Sequence, residues 1–282
     1  MRAETSRQNA RAIAAWSAAC LVIVLATTNP VYKTVVLAAA LAALVAGAGL
    51  KRIRRLLIAA MLVAAFAVAL NLVSAHLGAT VLFTLPAQLP AIGGPYTLEA
   101  LAYGASGGVT VAAALLAAAP FSLLLASYEV MDALPAALSR TGTALAAALN
   151  LVPAVGATFV QVSEAQRMRG WRPRGPRSWA EVAVPVVLTS VESSIQVAES
   201  MEARGFGSGP RTHMSPVRMS SQDWVLALAS ASAVVLFAIS IAAGWAGPWA
   251  AYPLLTAPPI DPRPLIACLL LFTPALQWRL RS

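Results

Sequence analysis

Between Ala12 and Ala75 the chain carries three apolar runs, separated only by Asn29-Pro30 and by the cluster Lys51-Arg52-Ile53-Arg54-Arg55. Each run is close to the ~20 residues that a helix needs to cross a bilayer. The rest of the chain keeps that character. Of 282 residues, 59% are hydrophobic and only 11% are Asp, Glu, Lys or Arg, against about 25% in ordinary soluble domains. So little charge cannot keep a soluble protein dispersed. The fold class is an all-α integral membrane protein.

The net charge of +9 raises the possibility of a nucleic-acid partner. Arg and Lys cluster instead at the ends of apolar runs, as the positive-inside bias predicts. The expected partner is the lipid bilayer, and no nucleic acid is expected. Cys20 and Cys268 both fall inside apolar runs, so neither a disulfide nor a metal site is indicated. The run after Cys20 continues through Leu25, which argues against a lipid anchor. Arg2, Arg7 and Arg11 ahead of the first run could mark a signal peptide. Further spans follow and no polar mature domain does, which favours a retained first helix.

In order, the expected spans are Ala12–Thr28, Thr34–Leu50, Leu56 to about Ala75, a fourth beginning near Thr97 and ending near Ser127, Trp224 to about Gly244, and Leu265 to Leu276 or Trp278. Lys51, Arg52, Arg54 and Arg55 mark a cytoplasmic end, and Arg279 and Arg281 close the last span on the same side. About six spans with both termini cytoplasmic follow, in the inner (plasma) membrane. Leu77 to Tyr96 reads as an outer loop that could dip into the bilayer, given its turn chemistry at Leu85-Pro86, Leu89-Pro90 and Gly93-Gly94-Pro95. Glu99 is expected to be solvated at the outer surface, and the Gly107-Gly108 pair is a candidate bend.

One long stretch is polar enough for water, and it divides the chain into a membrane region over 1–127, a cytoplasmic coupling region over 128–223 and a second membrane region over 224–282. It begins with an amphipathic segment, Tyr128 to Arg140. A proline-interrupted helix follows, apolar over Thr143–Val162 and charged from Glu164. A basic linker, Trp171 to Arg177, cannot be regular helix; neither it nor Trp171 carries an assignment. Another helix starts at Val184 or Pro185 and runs to Arg204. Its spacing puts Val184, Val187, Val191, Ser194, Ala198 and Met201 on a packing face, and Glu192, Gln196 and Glu199 on a wet one.

Self-contained chemistry finds little support. There is no G-x-x-x-x-G-K-[ST] loop, and the only lysines, Lys33 and Lys51, do not follow glycine, so the chain is no P-loop ATPase. Paired carboxylates within spans, which would mark a proton relay, are missing. Only His76 and His213 could supply imidazole, and the three aspartates lie far apart in sequence. No cofactor, metal or catalytic residue is expected.

The polar region does contain two similar endings, Met168-Arg169-Gly170 and Ala203-Arg204-Gly205. A cation in the last turn and a glycine after it is a common way to finish a helix. Two such endings, each preceded by a glutamate (Glu164, Glu202), also suit a second role. Arginine's rigid fork of donors can hold a carboxylate bidentately on another protein.

Glu164-Ala165-Gln166-Arg167-Met168-Arg169-Gly170, with Ala198-Glu199-Ser200-Met201-Glu202-Ala203-Arg204-Gly205-Phe206 after it, resembles the transmembrane T component of energy-coupling factor (ECF) transporters, the family that includes the cobalt-transport membrane subunit. Asn150-Leu151-Val152-Pro153, the segment Ser127 to Leu138 and Thr97-Leu98-Glu99-Ala100-Leu101 add to the resemblance. It implies a non-enzymatic coupling subunit whose partners are two ABC-type ATPases and a small membrane substrate-binding subunit for a vitamin or metal ion. Arg169 and Arg204 would be the docking cations and Gly170 and Gly205 the turns, flanked by Met168 and Ala203 and supported by Pro153, Glu164, Glu199 and Glu202. The first motif departs from the family in carrying Met168 where a small residue usually stands.

The alternative is a self-contained secondary transporter, which needs polar sites at broken helices near the midplane. Only Asn71 and the Gly107-Gly108 pair offer anything there, and Asn71 also reads as a helix-packing hydrogen bond. A membrane-embedded enzyme ranks third for lack of a catalytic set.

Overall fold

A computed structural model describes residues 9–75, 78–86, 93–125, 139–172, 175–205 and 219–279. The amphipathic segment expected before Arg140, most of the connector after Gly205, and Arg2, Arg7, His76, His213 and Arg281 lie outside them. The chain is predominantly α-helical and divides into two compact units, one built from 1–133 and 218–282, the other from 134–217.

The first unit contains α1 (Ala10–Ala26), α2 (Pro30–Ala48), α3 (Leu50–Ser74), α4 (Leu98–Leu123), α7 (Ser221–Ala242), α8 (Pro262–Leu269) and α9 (Thr273–Arg279). Local chemistry sets the helix starts. Asn9, Asn29, Thr97 and Asp261 each accept an amide bond at a helix N-terminus, and Pro30 and Pro262 supply the preset first helical residue. At α7, Ser220 and Asp223 form a reciprocal capping box.

The core is rich in alanine. Ala39, Ala40 and Ala43 of α2 and Ala112, Ala113 and Ala117 of α4 are buried beside Trp16, Tyr32, Leu44, Phe237 and Leu271. Small residues let membrane helices approach closely, where dispersion and interhelical hydrogen bonds replace the hydrophobic drive. The α3–α4 contact shows this most clearly. A Cβ on Gly108 would stand 2.9 Å from the Ala64 carbonyl oxygen, and one on Gly104 3.2 Å from Asn71 Cβ. Asn71 Nδ2 donates to the Ala100 carbonyl at 2.6 Å, so Asn71 is a packing hydrogen bond. Through Gly107-Gly108 α4 runs unbroken. Gly108 serves close approach, Gly107 faces open space, and the pair makes no bend.

The expected outer loop is a β-hairpin. Strand β1 (Val81–Leu85) pairs antiparallel with β2 (Gly94–Thr97), and Phe83 stacks on Tyr96 at 4.7 Å. Glu99 is not solvated as expected but wholly buried. Its carboxylate accepts from Thr80 N–H at 3.1 Å and Thr80 O–H at 2.8 Å. A negative charge in the first turn of α4 also suits the helix dipole.

Two further boundaries differ from expectation. Gly49, at φ 77°, turns α2 directly into α3, so Lys51 to Arg55 form the opening of α3 and do not lie between spans. The last apolar run is α8, a 3₁₀ turn (Leu270–Phe272) and α9, not one continuous helix. Trp16 Nε1 donates to the Leu271 carbonyl at 2.9 Å. A side-chain donor inserted into the helical ladder is a recognised cause of such a break.

Hydrogen bonds tie distant parts of the chain together at each end of this unit. Asn9 N–H donates to Asp223, and Gln277 to the Gln222 carbonyl. At the other end Asn29 Nδ2 donates to the Pro259 carbonyl and Asp261 N–H to the Tyr32 hydroxyl. The N-cap of α1 and the end of α9 therefore share one end of the bundle.

The second unit contains α5 (Ser139–Met168), a 3₁₀ turn (Pro176–Trp179) and α6 (Ala180–Ala203). α5 continues through Pro153. α6 begins four or five residues before the expected start, with Pro185 in its second turn. Five described helices are long and apolar enough to cross a membrane: α2, α3, α4, α6 and α7. α6 was expected outside the spanning set and has the lowest mean hydropathy of the five, 1.2. α1, at 17 residues, and the α8–α9 pair are apolar but shorter or broken.

Candidate functional site: two arginine–glycine helix ends

The two endings share one backbone solution. After α5, Gly170 has φ 87°, its N–H bonds to the Arg167 carbonyl at 3.0 Å, and the Trp171 N–H bonds to the Gln166 carbonyl at 2.9 Å. That pair of bonds is the Schellman motif, with Arg169 at the C-cap and Gly170 at C′. After α6, Arg204 is the C-cap, Gly205 has φ 71°, and its N–H bonds to the Glu202 carbonyl at 2.9 Å. An L-residue at either glycine would carry the cost of a left-handed backbone.

The ten residues singled out in sequence, Pro153, Glu164, Met168 to Gly170, Glu199 and Glu202 to Gly205, are all exposed. Met168 is 84% exposed, an unusual setting for an apolar side chain. Among the described residues neither the Arg169 nor the Arg204 guanidinium makes a hydrogen bond or an ion pair. Among the described residues nothing takes their donors, which leaves them for an outside acceptor.

The fold does not bring the two endings together. Trp171, just past the first, is buried against Val162 of α5 and Val182 and Val186 of α6. Val186 stands 18 residues before Arg204 (204 − 186), or about 27 Å of helix. The first arginine lies beside the start of α6 and the second at its far end.

Trp171, unassigned in the sequence, is the anchor of this arrangement. Its indole N–H donates to the Ser178 carbonyl at 3.0 Å. It also meets Trp179 edge-on at 5.5 Å, and Trp179 stacks on Phe159 at 5.8 Å. An aromatic residue directly after a helix-ending glycine was the available signal, because the Schellman turn returns that position onto the helix it leaves.

The packing face of α6 also differs from expectation. Val182, Val186, Ser190 and Ser194 face the interior of the unit, whereas Val187 and Val191 are 59% and 52% exposed and Val184 is similarly open. The hydrophobic positions outnumber what α5 alone can cover. Val155 of α5 and Val186, Val187, Val191, Ile195 and Ala198 of α6 line an apolar groove of about 500 Å³. No group of three or more His, Cys, Asp or Glu residues among the described residues could hold a metal ion.

A family model described as cobalt transport protein (CbiQ) matches residues 4–215, an interval that contains both arginine–glycine ends and all of α1 to α6. No curated protein matches the chain. A match over most of the chain, on a helical framework with several membrane-length helices, fixes its membership: the chain belongs to the cobalt transport protein family, that of the ECF-transporter T components, and is a membrane transport component.

Proposed function

We infer that the chain is the coupling subunit of an ATP-driven ECF-type importer, passing movement from two ABC-type ATPases to a separate substrate-binding membrane subunit for a vitamin or metal ion. The observation that carries this reading is the pair of equivalent helix ends, each presenting at the C-cap an exposed arginine, unpaired among the described residues, and a left-handed glycine beyond it. A helix end of this form fits a groove that supplies a carboxylate, and the glycine turns the chain away so that the tip can seat. The separation along α6 suits two receptors, one for each arginine.

The apolar groove between α5 and α6 supports the second half of the reading. A membrane subunit seated on Val187, Val191 and Ile195 would be carried by the same helices that end in the docking arginines. Movement at the tips then becomes movement of the substrate-binding subunit. The chain would have no ATP hydrolysis of its own, and would lie in the plasma membrane with the arginine–glycine ends facing the cytoplasm.

The test is co-purification with the ATPases and ATP-dependent uptake for wild type, Arg169→Ala, Arg204→Ala and the double variant. Removing one partner of a desolvated charge pair at an interface costs on the order of 2–5 kcal/mol, so the double variant should lose most of the complex and the uptake. A double variant that assembles and transports normally would sink the coupling role.

A further inference from the structure

The opening of α3 is electrostatically at odds with itself. Lys51, Arg52, Arg54 and Arg55 occupy the first turn and a half, no acidic residue accompanies them, and no side chain caps the helix. Cations at the positive end of a helix dipole are unfavourable. All four are exposed, and none of their side chains makes a hydrogen bond or ion pair among the described residues. Among the described residues of this unit nothing relieves the conflict.

Their placement around the helix is ordered. At about 100° per residue, Arg54, Lys51, Arg55 and Arg52 fan over an arc of roughly 160°, with buried Ile53 opposite its middle. Further along, the buried or α4-facing residues Ala60, Ala64, Val68 and Asn71 continue the side of Ile53. The exposed apolar residues Ile58, Met61, Leu62, Val63, Phe66 and Leu70 continue the side of the cations. A membrane-length helix therefore presents one continuous outward stripe, apolar along its shaft and fourfold cationic at its end.

We propose that this stripe is a lipid-binding surface, with anionic phospholipid headgroups held by Lys51, Arg52, Arg54 and Arg55 and their acyl chains lying along Ile58 to Leu70. Charge complementarity and the uninterrupted apolar shaft select the occupant. A lipid offers both the phosphate and the chains, whereas a free anion offers only the first. Near-surface Lys and Arg draw anionic lipids in this way. The headgroup phosphate also meets the uncapped amides of the helix start, which favours an anion there. The surface fixes the end of α3 at the headgroup layer and gives the unit a dependence on lipid charge.

The experiment uses the full chain purified in detergent, with dioleoyl-phosphatidylglycerol or dioleoyl-phosphatidylcholine added and bound lipid counted by native mass spectrometry. Wild type should retain the anionic lipid at least about tenfold better, on the order expected for several near-surface cations. Replacing all four residues by glutamine (Lys51→Gln, Arg52→Gln, Arg54→Gln, Arg55→Gln) should abolish the preference. An all-lysine form (Arg52→Lys, Arg54→Lys, Arg55→Lys) should keep it. Without added lipid the glutamine form should melt no lower than wild type, since it removes an unfavourable charge–dipole interaction; only wild type and the lysine form should gain stability from phosphatidylglycerol. Equal retention of both lipids by wild type, or a preference that survives in the glutamine form or is lost in the lysine form, overturns the proposal. So does matching stabilisation by inorganic phosphate at the same concentration, which would mark a free-anion site. Loss of ATPase subunits from the glutamine form with its lipid preference intact would mark a protein-docking surface and overturn it as well.

Discussion

Glu99 and Thr80 are joined by both the amide and the hydroxyl of Thr80, at 3.1 and 2.8 Å from the same carboxylate oxygen. Through them the β-hairpin is fastened to the first turn of α4. Gly78 completes the fit: a Cβ there would come within 2.7 Å of Thr97 Oγ1 and 2.5 Å of Glu99 Oε2.

Replacing Glu99 by alanine should therefore strip Thr80 of its acceptor and release the hairpin, lowering stability by about 1–3 kcal/mol. Thr80→Val should cost less, because the backbone donor remains. Thermal melting in detergent compares the two, and limited proteolysis between residues 78 and 97 should accelerate more for Glu99→Ala. Equal protection in both variants would contradict the role given to the carboxylate.

Gly108→Ala should force α3 and α4 apart, since its Cβ would meet the Ala64 carbonyl at 2.9 Å, and backbone cannot yield as a side chain can. The expected cost is about 1–3 kcal/mol. Gly107→Ala meets nothing within 4 Å and should be neutral or slightly stabilising, because alanine favours helix. The order of the two melting temperatures decides it.

Trp171→Ala should loosen the join between α5 and α6 by about 3–5 kcal/mol locally, exposing 171–179 to protease while the first unit keeps its melting transition. Trp171→Phe keeps much of the burial but loses the bond to the Ser178 carbonyl, at a cost of about 1 kcal/mol.

The sequence made much of this legible. Hydropathy found four of the five membrane-length helices, α2, α3, α4 and α7, because lipid demands long apolar runs. The sequence of α6, the least apolar of the five, reads as amphipathic instead. The two arginine–glycine pairs announced helix ends, because glycine at C′ answers a purely local need. Less legible was whatever tertiary contact decides. Glu99 looked solvated in sequence, but its partner lies 19 residues back in a hairpin that turn residues alone did not reveal. At the 3₁₀ break before α9, Pro274 removes a ladder donor, and Trp16, 255 residues away, takes the Leu271 carbonyl. On α6, valines at helical spacing pointed to the face of Val184, Val187 and Val191, whereas Val182 and Val186 are the buried ones, because both faces carry valine.

On the proposed coupling role, Val191→Glu should weaken retention of the small membrane subunit and spare the ATPases. It places a charge in the apolar groove but lies 13 residues before Arg204 (204 − 191). Co-purification of each partner separately measures the split; loss of both partners, or of the ATPases alone, would contradict it.

The central claim is that each arginine–glycine end seats in its own ATPase. The most direct measurement is the mass of the purified complex, which counts ATPase subunits per chain. Wild type should carry two ATPases. Arg169→Ala and Arg204→Ala should each keep one and lose the one at the altered end, and the double variant should carry none. Two ATPases retained by the double variant would contradict the account.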